Sequence, residues 1–269
     1  MLISVITPTY NSEKTIARNI NSVIQQNYNN FEHIIIDNLS EDKTIEIASK
    51  IYHDNKIPSK LRIISEKDNG ISDAFNKGIK AAKGEVISIL NSDDLYFNED
   101  VFKLVNSAFD EKDVLFVHGN LYFVDEKFGS NIRKPLLCRI EKGMPFNHPT
   151  MFIKKEPFEK WGLFDLSLKY AMDYEIIVRF EKNIKGFRQF GKFIDGPPLA
   201  IQYAGGVSWK NEVESINEVR EILKKHDLWN KSAKTTYLLR KSRTILKKYL
   251  SEFGLDYPVK MWRKRKWRN

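Results

Sequence analysis

The apolar positions of this chain switch repeatedly between two periods. Short runs rich in Ile and Val, of the kind buried on both faces of a parallel sheet, alternate with stretches whose apolar residues recur every three or four positions, as on one face of a helix. Leu2 to Thr7 is the first run; it stops at Pro8, which cannot donate to a sheet ladder. Ile16, Ile20, Val23 and Ile24 form the first helical stripe, with Asn11 or Ser12 as its cap. Phe31 to Ile36 is a second strand with Asp37 at its end, and Ser40-Glu41-Asp42-Lys43 opens a helix carrying Ile45, Ile47, Ala48 and Ile51. Leu61 to Ser65 is a third strand, followed by the polar turn Glu66-Lys67-Asp68-Asn69-Gly70. Ile71 to Ala82 is helical, with Gly84 as its stop. The run from Val86 to Leu90 then ends in Asn91-Ser92-Asp93-Asp94, and Glu99 to Phe109 is a further helix.

Strand and helix alternate with short connections through the first 110 residues, which predicts an α/β fold: a mainly parallel, Rossmann-like sheet with helices on both faces. In the second half Val114 to Val124 reads as one strand, Asp125 to Arg133 as a hairpin-like connection and Met151 to Ile153 as another strand. Trp161 to Asp165 is a turn, and Ile176, Ile177 and Phe180 mark a helix with Asp173 as its N-cap. Gly205-Gly206-Val207-Ser208 is a loop over a ligand or a plain turn. Beyond it, Val213, Ile216, Val219, Ile222 and Leu223, and later Ile245, Leu246, Tyr249, Leu250 and Phe253, show helical spacing. The expected organisation is a domain over 1–208, with halves 1–110 and 111–208, and a helical extension over 209–269.

Charge sharpens that division. The 269 residues carry a net charge of +9. Residues 209–269 hold 17 Lys+Arg against 7 Asp+Glu, while the rest holds 27 against 28, so the extension carries the whole surplus. A tail of this kind meets an anionic surface. Trp262 and Trp267 alternate with Arg and Lys, as suits a lipid headgroup layer, and nothing resembles a nucleic-acid recognition motif. The alternative is helices packed on the body with a solvated basic end. The single cysteine, Cys138, excludes a disulfide framework and fits a reducing compartment. No run of about 18 apolar residues spans a membrane, and the start reads as a first strand rather than a signal peptide. The expected location is cytoplasmic, peripheral on the inner face of the cell membrane if the tail docks there.

Candidate chemistry follows from where polar residues stand. Thr9, Asn11, Asp37, Asp68 and Asp93 all follow strands, and in a parallel sheet such residues converge on one edge, where ligands bind. The adjacent carboxylates Asp93 and Asp94 suit a hard cation such as Mg²⁺ or Mn²⁺; alternatively they only cap a helix or make a turn. Neither Gly-x-Gly-x-x-Gly nor a P-loop is present, and without a glycine cradle a metal is the natural neutraliser of a diphosphate.

The ordered motifs resemble family 2 glycosyltransferases of the GT-A fold. They are Val5-Ile6-Thr7-Pro8-Thr9-Tyr10-Asn11, Ile36-Asp37-Asn38-Leu39-Ser40-Glu41-Asp42-Lys43-Thr44, Glu66-Lys67-Asp68-Asn69-Gly70-Ile71-Ser72-Asp73-Ala74 and Leu90-Asn91-Ser92-Asp93-Asp94. Asn147-His148-Pro149-Thr150, Gly162-Leu163-Phe164-Asp165 and Ala171-Met172-Asp173-Tyr174 complete the set, which covers about residues 2–208. The resemblance implies a nucleotide-sugar donor, usually a UDP-sugar, bound by the first half, and a glycan or polyprenyl-linked acceptor bound by the second. Pro8, Thr9, Tyr10 and Asn11 would hold the base, Asp37 would read base or ribose, and Lys67 and Asp68 would line the same pocket. Ser92-Asp93 resembles the Asp-x-Asp metal motif, with Asp93 as the ligand of Mn²⁺ or Mg²⁺ and Asp94 its neighbour; Asn91 stands where many members have the first Asp. His148 would touch the diphosphate or acceptor, unless it only shapes the loop before Pro149. Asp173 would be the base of an inverting transfer serving a bacterial surface polysaccharide, such as lipopolysaccharide O-antigen or capsule. Two rivals are a nucleotidyltransferase, whose Gly-rich signature loop with Arg is absent here, and a catalytically dead donor-binding protein. A processive membrane synthase is disfavoured by the lack of spans and of a Gln-x-x-Arg-Trp sequence.

Overall fold

The structure is a computed structural model that describes residues 1–126, 129–206 and 211–253. It opens as the hydrophobic pattern predicts: β1 (Ile3–Thr9), α1 (Ile16–Ile24), β2 (Phe31–Asp37), α2 (Thr44–Asp54), β3 (Leu61–Ser65), α3 (Ile71–Ala81) and β4 (Val86–Ile89). β5 (Leu95–Tyr96), α4 (Val101–Phe109), β6 (Phe116–Gly119), β7 (Leu121–Val124) and β8 (Asn131–Arg133) follow. The chain continues through β9 (Phe152–Lys154), α5 (Glu156–Trp161), α6 (Met172–Asn183), β10 (Gly191–Ile194) and β11 (Ala200–Tyr203). Two helices, α7 (Glu212–Lys225) and α8 (Lys231–Glu252), close it.

Seven strands form the main sheet in the order β10-β6-β9-β4-β1-β2-β3. All run parallel except β9, which lies antiparallel between β4 and β6. The period-2 alternation assigns each side chain to a face. Ile6, Ile34 and Ile36 join the core under α3, α5 and α6, whereas Ile3 and Val5 pack with Val101, Phe102 and Val105 of α4 and Ile35 packs with α1 and α2. Helices therefore cover both faces, as expected. A second sheet, β5-β11-β7-β8, stands beside the carboxyl edge of the first.

Four local expectations are corrected. β1 does not stop before Pro8 but runs through it to Thr9, with Pro8 in register with Ile36. The reason is parity: the Ile6 carbonyl accepts from the Leu90 N–H, so Pro8, two residues on, turns its missing N–H to the side that β4 has already left. Neither Asn11 nor Ser12 caps α1; Thr15 occupies that position without a side-chain capping bond, and Asn11 takes a left-handed φ of 48°. The run Val114 to Val124 is two strands in two sheets, broken at Asn120, whose Nδ2 donates to the Gly196 carbonyl. Gly84 is not the end of α3, where Ala82 stands; it lies where a Cβ would meet the Leu2 carbonyl at 2.6 Å.

The last two helices share the core of the body. Val219, Ile222 and Leu223 of α7 and Ala233 and Tyr237 of α8 are buried with residues of α3, α5 and α6. Among the described residues no helix is long and apolar enough to cross a membrane. The stretch 261–269 and Val207-Ser208 lie outside the described residues.

Candidate active site

The carboxyl ends of the parallel strands gather most of the expected donor residues. Thr9, Asp37 and Ser65 stand in register at the ends of β1, β2 and β3. Asp37 is fully buried. Its oxygens accept from Thr9 Oγ1 at 3.0 Å, Ser65 Oγ at 2.7 Å, Ser40 Oγ at 2.5 Å and Ser40 N–H at 3.1 Å. Four donors satisfy this buried charge, and they tie the loop after β2 to the sheet. That loop also grips the one after β1: Asn38 N–H donates to the Thr9 carbonyl, Asn11 N–H to Ser40 Oγ and Glu41 N–H to Asn11 Oδ1. Tyr10 stands out of this paired loop with 59% of its surface exposed.

Asp68 extends the same edge. Its N–H donates to Asn38 Oδ1, its Oδ1 accepts from Gly70 N–H, and burial raises its pKa against the pull of that bond and of Lys77. Lys67 is exposed, and its carbonyl accepts from Lys77 Nζ.

At the end of β4, Asn91 to Asp94 form a tight turn in which Asp94 N–H donates to the Asn91 carbonyl at 2.9 Å. Asn19, fully buried on α1, donates through Nδ2 to the carbonyls of both Asn91 and Asp94 at 2.9 Å. Ser92 Oγ lies 2.9 Å from Ser12 Oγ, which closes the turn against the loop after β1. Asp94 is buried, and its pKa is held well above the carboxylate range by burial and then by the Asp93 charge, while hydrogen bonds from Asn91 and Gln202 oppose the rise. Burial also raises the pKa of Asp93, and Arg18 counters it. Arg18 in turn lies 4.7 Å over the Tyr203 ring.

The oxygen chemistry here fits a hard cation. Asn91 Oδ1 is buried with no hydrogen-bond partner, beside two crowded carboxyl groups. A buried acceptor left open is costly, and a cation or a ligand hydroxyl would satisfy it. Among the described residues no cluster of three or more His, Cys, Asp or Glu side chains is present. Asp93, Asp94 and Asn91 therefore form a partial oxygen set of the kind Mg²⁺ accepts when phosphate oxygens and water complete it.

The second half brings His148 and Asp173 together. Burial lowers the His148 pKa, and the nearby Asp173 carboxylate pulls it back up. His148 opens a short 3₁₀ turn and packs 6.1 Å from the Phe75 ring of α3. Asp173 is not the N-cap: Ala171 holds that position, and Asp173 lies in the first turn with Oδ1 accepting from Tyr174 N–H. The segment before it is fixed by α3, where Asn76 exchanges two hydrogen bonds with the backbone of Phe164 and Ser72 Oγ donates to the Leu168 carbonyl.

Sequence reasoning missed Arg18, Asn19 and Gln202. Asn19 carried a signal, since a polar residue three positions after Ile16 interrupts the apolar stripe of α1. Arg18 carried none, being an exposed basic residue on a helix, and Gln202 carried none, because β11 meets the Asp94 turn through its pairing with β5.

The profile described as Glycosyl transferase family 2 matches residues 4–178. An uncharacterised glycosyltransferase of Rickettsia typhi is 34% identical over 196 residues, which is 66% of this chain and 58% of that protein. The chain thus spans a little over half the length of that relative. Residues 1–349 of Staphylococcus aureus TarS in complex with UDP-GlcNAc superpose with a TM-score of 0.65 at 21% identity, over 93% of this chain and 73% of theirs. A Pyrobaculum calidifontis mannosyltransferase in complex with GDP-Man and Mn²⁺ gives 0.62 at 16% identity, over 97% and 82%.

Proposed function

Because the chain belongs to glycosyl transferase family 2, we propose that it moves a sugar from a nucleotide-sugar donor to a hydroxyl of a glycan or polyprenyl-linked acceptor, with inversion. The observation that carries this reading is the strand-end group of Asp93, Asp94 and the unpartnered Asn91 Oδ1, with Arg18 alongside. The two superposed neighbours hold different bases but share a nucleoside diphosphate sugar. The donor assigned to this chain is a UDP-sugar.

The base lies against the paired loops, with the Tyr10 ring as its exposed platform and Pro8, Thr9 and Asn11 shaping the floor. Asp37 holds Thr9 and Ser40 in place for base and ribose, and Lys67 and Asp68 line the far side. A Mn²⁺ or Mg²⁺ ion held by Asp93, with Asp94, Ser92 and Asn91 beside it, would supply the charge a departing diphosphate needs. Arg18 adds a fixed cation next to Asp93. Asp173 accepts the acceptor's hydroxyl proton as that oxygen bonds to the anomeric carbon and the bond from that carbon to the diphosphate breaks. His148, close to Asp173, orients the acceptor or the diphosphate.

The acceptor's lipid end gives α8 a role. Its inner face, with Ala233, Tyr237 and Thr244, is buried, while Leu238, Ile245, Leu246, Tyr249 and Phe253 are exposed on the opposite side. Lys234 and Lys241 on one margin and Arg243 on the other flank that outer stripe. An apolar face bordered by cations suits an anionic membrane surface, so the protein works as a peripheral protein on the cytoplasmic face.

The test is a thermal-shift panel of nucleotide sugars with and without Mn²⁺, followed by turnover of the variants. A UDP-sugar should raise Tm through mass action. Asp93→Ala should lose the Mn²⁺-dependent part of the shift. Asp173→Asn should keep the shift and lose about 100-fold or more in turnover. Near-normal turnover in Asp173→Asn would remove Asp173 from the base role, and a panel in which no nucleotide sugar shifts Tm would overturn the donor reading.

A further inference from the structure

Helix α6 begins without a side-chain cap of its own, yet the backbone leading into it is not left open. Glu218, on α7, reaches across from the C-terminal helices. Its Oε1 accepts from Lys169 N–H at 2.9 Å, and its Oε2 accepts from Tyr170 N–H at 2.8 Å and Ala171 N–H at 2.9 Å. Three consecutive amides thus converge on one carboxylate, the geometry by which a backbone nest binds an anion. Charge-assisted bonds of this length are about twice as strong as neutral ones, and a negative charge at a helix N-terminus is favoured by the helix dipole. The opposite side of the same segment is held by Ser72 Oγ on the Leu168 carbonyl. Asp173 stands two residues beyond Ala171.

We propose that Glu218 is a positioning residue: by clamping the amides of residues 169–171 it sets the direction in which Asp173 enters the active site. This rests on the reading of Asp173 as the base. The helix that carries Glu218 is rigidly seated for the task. Val219, Ile222 and Leu223 are buried in the core, Lys225 Nζ bonds Asp165 Oδ2 at 2.9 Å, and His226 Nε2 lies 3.3 Å from Glu175 Oε1 on α6 itself. A carboxylate fixed at both ends of its reach controls position, and position is what a general base needs: a displacement of about 1 Å can cost on the order of 100-fold in rate.

The experiment uses the full chain and follows UDP release with water as acceptor, with UDP-GlcNAc and Mn²⁺ as the probe, together with backbone hydrogen exchange. Glu218→Ala should lower kcat about 10- to 100-fold with donor KM within about twofold of wild type, and Glu218→Gln, which keeps one acceptor oxygen, should recover part of the loss. Exchange of residues 168–173 should rise while that of 219–225 stays protected. In the Asp173→Ala background Glu218→Ala should cost nothing further, because the two act through one another. Unchanged kcat and unchanged exchange in Glu218→Ala would overturn the proposal. So would a loss in which donor KM and Tm move together with kcat, since that is only structural damage. If Asp173→Ala alone turns over normally, the base reading has failed. If Asp173→Ala is inactive and Glu218→Ala is normal, only the clamp has failed. Where UDP-GlcNAc is not turned over, the same comparison is made with the nucleotide sugar that raises Tm most in the thermal-shift panel.

Discussion

At the scale of single residues, the Asp93–Asp94 turn is held by a buried polar chain that starts far from it. Tyr52 OH lies 2.7 Å from His33 Nδ1, and His33 Nε2 lies 2.8 Å from Thr7 Oγ1. Thr7 reaches Asn19 Oδ1 at 3.5 Å, and Asn19 grips the turn. His33 is fully buried, and burial alone lowers its pKa to about 3. The unfolded chain protonates this imidazole below about pH 6.5, whereas the folded one does not until about pH 3. The unfolded state therefore binds more protons in that window, and stability rises with pH across it. The contribution is whole above about pH 6.5 and is lost as pH falls toward 3. His118, lowered to about 4 by burial, acts in the same sense. His33→Gln should give a shallower fall of Tm between pH 6.5 and 4 than wild type, and an equal slope in the two would refute the assignment.

At the scale of elements, α3 approaches β1 closely in the core of the body. A Cβ on Gly78 would lie 2.3 Å from Ile6 Cγ2. Ile6 is β-branched and fully buried in a central strand, so it has little room to yield. Overpacking costs about 1–3 kcal/mol, against at most about 1 kcal/mol gained in helix propensity. Gly78→Ala should therefore lower the denaturation free energy by about 1–2 kcal/mol. A midpoint at or above wild type would show that the contact relaxes freely. The same elements show what the sequence made legible. β1 to β4 and their helices were readable because strands buried on both faces leave uninterrupted Ile and Val runs, and their polar ends marked the edge where Thr9, Asp37 and Ser65 gather. The break at Asn120 was not readable: that single residue separates two strands with no turn between them, and Gly119, the last residue of β6, is required by Leu199, 80 residues away, whose Cγ would lie 2.6 Å from an added Cβ. Caps failed for the same reason. The amides leading into α6 are held by Glu218, an acceptor 47 residues from Ala171 in the chain, where local spacing pointed to Asp173.

At the scale of the whole molecule, α8 is apolar on two opposite faces, and among the described residues only the inner one is covered. Leu238 and Leu246 are exposed at 67% and 57%. Leu238→Glu with Leu246→Glu should leave Tm within a few degrees of wild type and weaken binding to phosphatidylglycerol-containing vesicles more than tenfold. Deleting residues 261–269 removes five basic side chains, each worth about 1 kcal/mol near an anionic leaflet, and should flatten the salt dependence of binding. Vesicle binding unchanged in both variants would leave the outer face without a membrane role.

The antiparallel strand β9 has a consequence for how the chain is made. It fills the gap between β4 and β6 with residues 152–154, so the middle of the sheet is finished only after more than half the polypeptide has been synthesised. Until then the nascent N-terminal half, Asp37 and Asp93 included, offers β4 as a bare edge rich in Val and Ile. Such edges pair with other chains, and parallel sheets with distant partners are slow to form. During translation, the step most exposed to misassembly is therefore the wait for Phe152, before any substrate is met.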